Sequence, residues 1–231
     1  MCGILFVLEE LPLDHMSASI ATLQPRGPDG TSVCVAGGVS MAFTRLAVMD
    51  ATPASIQPLT KNYTQLVYNG EIYNYRQLAA DSDLPPQSDG VALLHHIDRM
   101  MHHPSRLHAV FAALKGVFAC VAINHTHGRV VVARDPVGVR PLFEGRTKNT
   151  HAVAFASEAK ALLEICELAS IRPFKPNRCR VYDKIEDVWT TVCDTEHTDL
   201  FYDEPPPPPF KSRWEFIAAA LRFGRAIRGA V

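Results

Sequence analysis

The chain has 231 residues, 47% of them hydrophobic, enough to bury one sizeable core or two small ones. Lys and Arg number 23 against 24 Asp and Glu, a net charge of −1 that argues against a dedicated nucleic-acid binder. Mean hydropathy is close to zero and the apolar runs fall far short of the ~18 residues a membrane helix needs, so a soluble, cytoplasmic protein is expected, with no membrane partner.

In chain order, residues 4–8 read as a buried strand, too short and too soon followed by Glu9 and Glu10 for a signal peptide. Residues 14–23 read as a short helix, and 24–30 as a loop punctuated by Pro25, Gly27, Pro28 and Gly30. Residues 31–36 and 40–48 flank Gly37-Gly38, a two-residue hairpin signal. A strand over 66–68 is expected to run into a turn at Asn69-Gly70. The periodicity of Val91, Leu94, Ile97 and Met101 predicts a helix over 88–101, capped by Ser88 or Asp89. A second helical stretch follows at 107–114.

Strands resume at 117–123 and 130–133, joined through His127-Gly128, and again at 152–156. Residues 157–168 read as a helix capped by Ser157, and 178–183 with 188–192 as a closing hairpin. Hairpin-length connections dominate, which predicts an α+β fold with largely antiparallel sheets and helices on the outer faces. Five consecutive prolines at 205–209 mark a stiff linker over 203–210. Residues 211–231 read as an amphipathic helix, either docked or the first helix of a second domain that this chain lacks.

The six cysteines show no CxxC pair, so free thiols are expected and no zinc site. Cys2 stands apart by following Met1 directly. Removal of Met1 would leave a thiol and a free amine on one residue. An α-amine titrates at about 7.7–8.0, so a useful fraction is neutral near pH 7 and can act as the thiol's base. Alone, Cys2 is equally a small packing residue.

Several further strings stand in order. They are Arg26-Gly27-Pro28-Asp29-Gly30, Thr44-Arg45-Leu46-Ala47-Val48, Gln57-Pro58-Leu59, Tyr68-Asn69-Gly70-Glu71-Ile72-Tyr73-Asn74-Tyr75 and Ser88-Asp89-Gly90. After them come Arg134-Asp135-Pro136-Val137-Gly138-Val139-Arg140-Pro141-Leu142 and Ala156-Ser157-Glu158-Ala159-Lys160-Ala161-Leu162. With Met1-Cys2-Gly3-Ile4 they resemble the class II glutamine amidotransferases, in particular the N-terminal glutaminase domain of glutamine-dependent asparagine synthetase. The resemblance spans residues 2–202.

It implies a four-layer αββα sandwich of the N-terminal-nucleophile (Ntn) hydrolase type and hydrolysis of L-glutamine to glutamate and ammonia. By the same resemblance Cys2 is nucleophile and, through its amine, base, and Asn69 and Gly70 form the oxyanion hole. Arg45 is suited to the substrate carboxylate as a planar two-pronged donor, and Asp89 with Glu71 to its ammonium. Leu46 and Val48 complete the implied substrate site. The partner would be a synthetase domain in cis or trans, with a homodimer permitted. No cofactor is implied for this half; ATP and magnesium would belong to the synthetase domain.

Other readings stay open for single residues. Asn69-Gly70 is also a favoured hairpin turn, Asp89 a helix-start acid, and Arg45 a strand-end charge. Arg134-Asp135 and Glu158-Lys160 read as structural, ion-paired and loop-fixing. His95-His96 and His102-His103, seven apart on the predicted helix, lack a third ligand for zinc. The sequence holds no GxxxxGK[ST] or GxGxxG phosphate loop and no Ser-Gly-Gly-x-Asp-Ser string. Competing functions are an amidotransferase of aminosugar or purine synthesis, and a catalytically silent module that kept the fold.

Overall fold

Strand alternation builds the architecture. In the computed structural model, which describes residues 1–47, 56–80 and 88–198, the first strand β1 spans Gly3–Val7. Every side chain of β1 is buried, because a strand's residues point alternately to two faces and both faces are covered here. Ile4 and Phe6 turn one way, Leu5 and Val7 the other.

The remaining elements are α1 (Leu13–Leu23), β2 (Gly30–Ala36), β3 (Val39–Arg45), β4 (Leu59–Lys61), β5 (Thr64–Ile72) and α2 (Tyr75–Ala80). They are followed by α3 (Asp89–Met100), α4 (Leu107–Ala112), β6 (Gly116–Asn124), β7 (Arg129–Arg134), β8 (Phe143–Arg146) and β9 (Val153–Ala156). Two residues of β10 (Arg172–Pro173) and the hairpin β11 (Arg178–Ile185) and β12 (Val188–Glu196) complete the strands and α-helices among the described residues. One sheet has the order β10-β8-β9-β1-β3-β2, the other β12-β11-β7-β6-β5-β4. Among the described residues, every pairing between these strands is antiparallel.

Three apolar layers follow from this alternation. Between the sheets, Ile4, Phe6, Met41 and Phe43 meet Val67, Ala119, Val121, Ile123 and Val132. On the outer face of the first sheet, Leu5, Val7, Ala42 and Ala154 pack on Met16 and Leu23 of α1 and on Leu162. On the outer face of the second, Leu66, Phe118, Cys120 and Val131 pack on Leu93, Ile97 and Phe111 of α3 and α4. The result is the αββα sandwich. Each fully buried Phe, such as Phe6 or Phe118, contributes roughly 1.5–3 kcal/mol of burial.

Local signals hold where tertiary contacts agree with them. Gly37 and Gly38 both adopt left-handed φ, +65° and +82°, as the β2–β3 turn requires. Ser88 caps α3 by accepting from the Val91 amide at 3.3 Å. Two expectations fail. Asn69-Gly70 is no turn: β5 runs straight through it, because both residues pair with Ala119 and Phe118 of β6. Residues 157–168 form no α-helix. A four-residue 3₁₀ turn at Ala159–Leu162 is followed by a bridge from Cys166 to Thr147, so contacts with the first sheet override helical propensity. Residues 203–210 and 211–231, read as linker and helix, lie outside the described residues, as does Val48.

Candidate active site

One end of the sandwich opens into a cleft of about 270 Å³. Strand alternation decides what faces it. Ile4 and Phe6 point between the sheets, so Cys2, two residues earlier, does too; it packs against that layer. By the same parity Arg45 follows Met41 and Phe43 on β3, and Asn69 follows Val67 on β5. Gly3 pairs with Thr44, which brings Cys2 beside Arg45. Cys2, Arg45, Leu46, Asn69, Gly70, Glu71 and Asp89 therefore line one cleft, together with Met1, Gln57, Tyr68 and Arg140.

The Cys2 thiol is held at the strand end: the Leu46 amide donates to Sγ at 3.4 Å, and Sγ lies 3.7 Å from the Leu46 carbonyl. Asp29 brackets the same segment, its amide donating to the Arg45 carbonyl at 2.9 Å and its Oδ2 accepting from the Ala47 amide at 2.8 Å. Three other cysteines, Cys120, Cys166 and Cys179, are buried. Burial pushes the Cys120 and Cys166 thiols up to about 12 and raises Cys179 as well, which leaves them protonated packing groups.

Along β5, the edge that faces the cleft changes partner every second residue. Leu66 lies opposite Leu59 of β4. Tyr68, beyond the end of β4, is paired by the Gln57 side chain, which donates to its carbonyl at 2.9 Å and accepts from its amide at 2.5 Å. The Ile72 amide donates to Asp89 at 3.1 Å. Alternation turns the Gly70 amide to the same edge, between Gln57 and Asp89, at the cleft. A side chain is excluded there: a Cβ on Gly70 would lie 2.3 Å from the Val117 carbonyl oxygen. Next to it, Asn69 is buried and its Nδ2 has no partner among the described residues. Two donors thus converge on the cleft, one of them an orphan amide of the kind buried sites rarely tolerate without a use.

Asp89 accepts three hydrogen bonds, from the Tyr68 hydroxyl, the Ile72 amide and, at 2.8 Å, the Gly90 amide. A carboxylate has about four acceptor sites, so the bonds from described residues leave one for a further donor. Burial, with the Asp89 charge second, raises the Tyr68 phenol well above its ordinary value, which keeps it a donor. Glu71 faces Arg140 at 3.6 Å. Among the described residues the cleft carries two guanidinium groups, Arg45 and Arg140, and two carboxylates, Glu71 and Asp89. That balance suits a zwitterion.

Arg140 and Gln57 were not singled out as site residues by the sequence. Arg140 reaches the cleft because Arg134 and Asp135 shape its loop. Asp135 accepts from the amides of Phe118, Val137, Gly138, Val139 and Arg140, and Arg134 donates to the carbonyls of Gly138, Arg140 and Phe174. The pair fixes the loop as expected, though through backbone groups in place of an ion pair. Arg26 ties Glu158, held in turn by Lys160, to the Cys2 carbonyl. His102 and His103 fall beyond the end of α3, since Pro104 follows; they contact each other, and His96 meets the Leu78 carbonyl. Among the described residues no group of three or more His, Cys, Asp or Glu could hold a metal, and no helix is long and apolar enough to cross a membrane.

The family model of the glutamine amidotransferase domain matches residues 1–174. A probable glutamine-hydrolysing asparagine synthetase of Acanthamoeba polyphaga mimivirus is 33% identical over 189 residues, covering 77% of this chain and 33% of that protein. The human glutamine-hydrolysing asparagine synthetase is 32% identical over 197 residues, covering 79% of this chain and 34% of that one. The chain thus spans about a third of the length of these relatives. The solved structure of an allosteric regulatory enzyme of purine biosynthesis superposes with a TM-score of 0.68 at 20% identity, over 85% of this chain and 49% of that one, a likeness of fold. With the model covering three quarters of the sequence, the chain belongs to the glutamine amidotransferase domain family.

Proposed function

We propose that this chain hydrolyses L-glutamine to L-glutamate and ammonia through a thioester on Cys2. The observation that carries the reading is the convergence of the Cys2 thiol, the unpartnered Asn69 Nδ2 and the Gly70 edge on a cleft of balanced charge. Arg45 takes the substrate α-carboxylate, and Asp89 with Glu71 takes its α-ammonium, which leaves the side-chain amide toward Cys2. Leu46 and Val48 would complete the substrate site.

Met1 is half-exposed and lines the same cleft, so its removal both frees the Cys2 amine and clears space. The thiol then passes its proton to that amine and attacks the amide carbon. Asn69 Nδ2–H and the Gly70 N–H stabilise the oxyanion, where each donor is worth about 10²–10³ in rate. Collapse breaks the C–N bond, the amine's proton leaves with ammonia, and water cleaves the γ-glutamyl thioester. The sum consumes one glutamine and one water.

We further infer that the domain supplies ammonia to a synthetase domain, in cis or trans, of the asparagine-forming type. The identity to asparagine synthetases supports this acceptor; the fold likeness to an enzyme of purine biosynthesis supports a second reading with a different one. Ammonia release assayed beside intact mass tests the core of the proposal. The γ-glutamyl diazoketone 6-diazo-5-oxo-norleucine should attach once, at Cys2, and only on chains lacking Met1. Full activity in Cys2→Ala, or in protein that retains Met1, overturns it.

A further inference from the structure

Cys2 lies one residue outside the ladder that begins with Gly3, so the strand pairing does not set its conformation. Its carbonyl is instead gripped by Arg26, whose Nε donates to it at 3.0 Å. The same guanidinium, only 10% exposed, donates through Nη1 to Glu158 at 3.1 Å. Glu158 lies on the other side of β1, at the end of β9. Ser157 locks that end by accepting from the Ile4 amide at 3.0 Å while its own amide donates to the Ile4 carbonyl at 3.0 Å. The Glu158 carboxylate is therefore a fixed post to which the Arg26 fork is tied, and the Arg26 fork in turn aims Cys2.

We propose that Glu158 is a positioning residue for Cys2, acting through Arg26 to hold the nucleophile's backbone in its attacking orientation. The inference rests on the reading of Cys2 as nucleophile. A guanidinium needs its prongs occupied to stay in one rotamer, and Nη2 of Arg26 is already buried without a partner among the described residues. Removing the charge from Glu158 turns the charge-assisted bond to Nη1 into a weaker neutral one and loosens that side of the clamp. Lys160, 2.8 Å from the other carboxylate oxygen, keeps Glu158 from turning to solvent. Among the described residues Arg26, Glu158 and Lys160 do not line the cleft, so their loss should leave glutamine binding nearly unchanged.

The test uses the full chain with Met1 removed, comparing Glu158→Gln and Glu158→Asp with the parent in ammonia release, melting temperature and labelling by the diazoketone. A displacement near 1 Å at a reacting atom costs roughly 10²-fold, so Glu158→Gln should lose about that in kcat with KM within about threefold. The labelling rate should fall in parallel, and Glu158→Asp should recover part of both. A purely structural residue would lower the melting temperature and change KM and kcat together. That pattern, or a kcat within threefold of the parent in Glu158→Gln, overturns the proposal. Should Glu158→Gln not fold, Glu158→Asp carries the test, with a kcat equal to the parent's as the contrary result. Cys2→Ala separates the two claims: an active Cys2→Ala refutes the nucleophile reading, whereas an inactive Cys2→Ala beside an unimpaired Glu158→Gln refutes only the positioning role.

Discussion

The Tyr68 hydroxyl donates to Oδ2 of Asp89, joining the middle of β5 to the first turn of α3 across 21 residues. The bond, with those from the Ile72 and Gly90 amides, fixes the rotamer of a carboxylate that lines the cleft. Tyr68→Phe deletes the donor while keeping the ring in the apolar cluster that also holds Leu93 and Leu94. A hydrogen bond to a charged group is worth about 1.5–3 kcal/mol, and the Ile72 and Gly90 amides still restrain Asp89, so KM for glutamine should rise about tenfold. Steady-state kinetics with a kcat within about threefold of the parent would match a binding role; an unchanged KM would exclude it.

Asn69 and Gly70 are neighbours with separable duties. Asn69→Ala removes a donor that no described protein group uses, so kcat should drop about 10²–10³-fold while the melting temperature stays nearly constant. Gly70→Ala places a methyl 2.3 Å from the Val117 carbonyl and 2.8 Å from the Phe118 Cα. Overpacking of that kind costs about 1–3 kcal/mol, so thermal unfolding should shift down by several degrees. Calorimetry beside kinetics distinguishes the two; a melting temperature for Gly70→Ala equal to the parent's would contradict the close approach of β5 and β6.

Stability should decline at both ends of the pH range, for identifiable groups. Burial holds His197 below its ordinary value near 6.5, and its Nε2–H donates to the Arg134 carbonyl at 2.7 Å. The unfolded chain then takes up a proton that the folded one resists, so this contribution is present above about pH 6.5 and is lost as the pH falls. Tyr68, Cys120 and Cys179 are shifted up by burial, so the folded chain retains protons that the unfolded chain releases. Their contribution is full below about pH 8.5 and is lost as the pH rises, for Cys120 toward about 12. Urea unfolding between pH 4 and 11 should trace both limbs, and His197→Gln should flatten the acid one.

Much of the fold was legible because alternation and turn chemistry agreed with the final contacts. The Gly37-Gly38 hairpin, the Ser88 cap and the strands of the central core are instances. The failures have a common cause. Asn69-Gly70 carries a strong local turn signal, yet a nine-residue ladder with β6 outweighs it, and glycine is required there for close strand approach. Residues 157–168 have helical composition but are drawn onto the first sheet through Ala161, Leu162 and Cys166. Within the cleft, the parity of Cys2, Arg45 and Asn69 could have been read from their strands. Gln57 and Arg140 could not, since each is placed by side-chain-to-backbone bonds, Gln57 on Tyr68 and Arg134 and Asp135 on the Arg140 loop, that follow no strand or helix period.

The loop that ends in Arg140 has its backbone groups bound by two side chains at its own stem, Arg134 and Asp135. Val137 and Val139, meanwhile, project outward and are largely exposed. Shape and surface are thus encoded by different codons. Mutation can rewrite the outer surface of this loop one exchange at a time without the chain having to find a new path, so a lineage, or a protein engineer, can alter what meets that surface while the cleft end of the sandwich keeps its geometry.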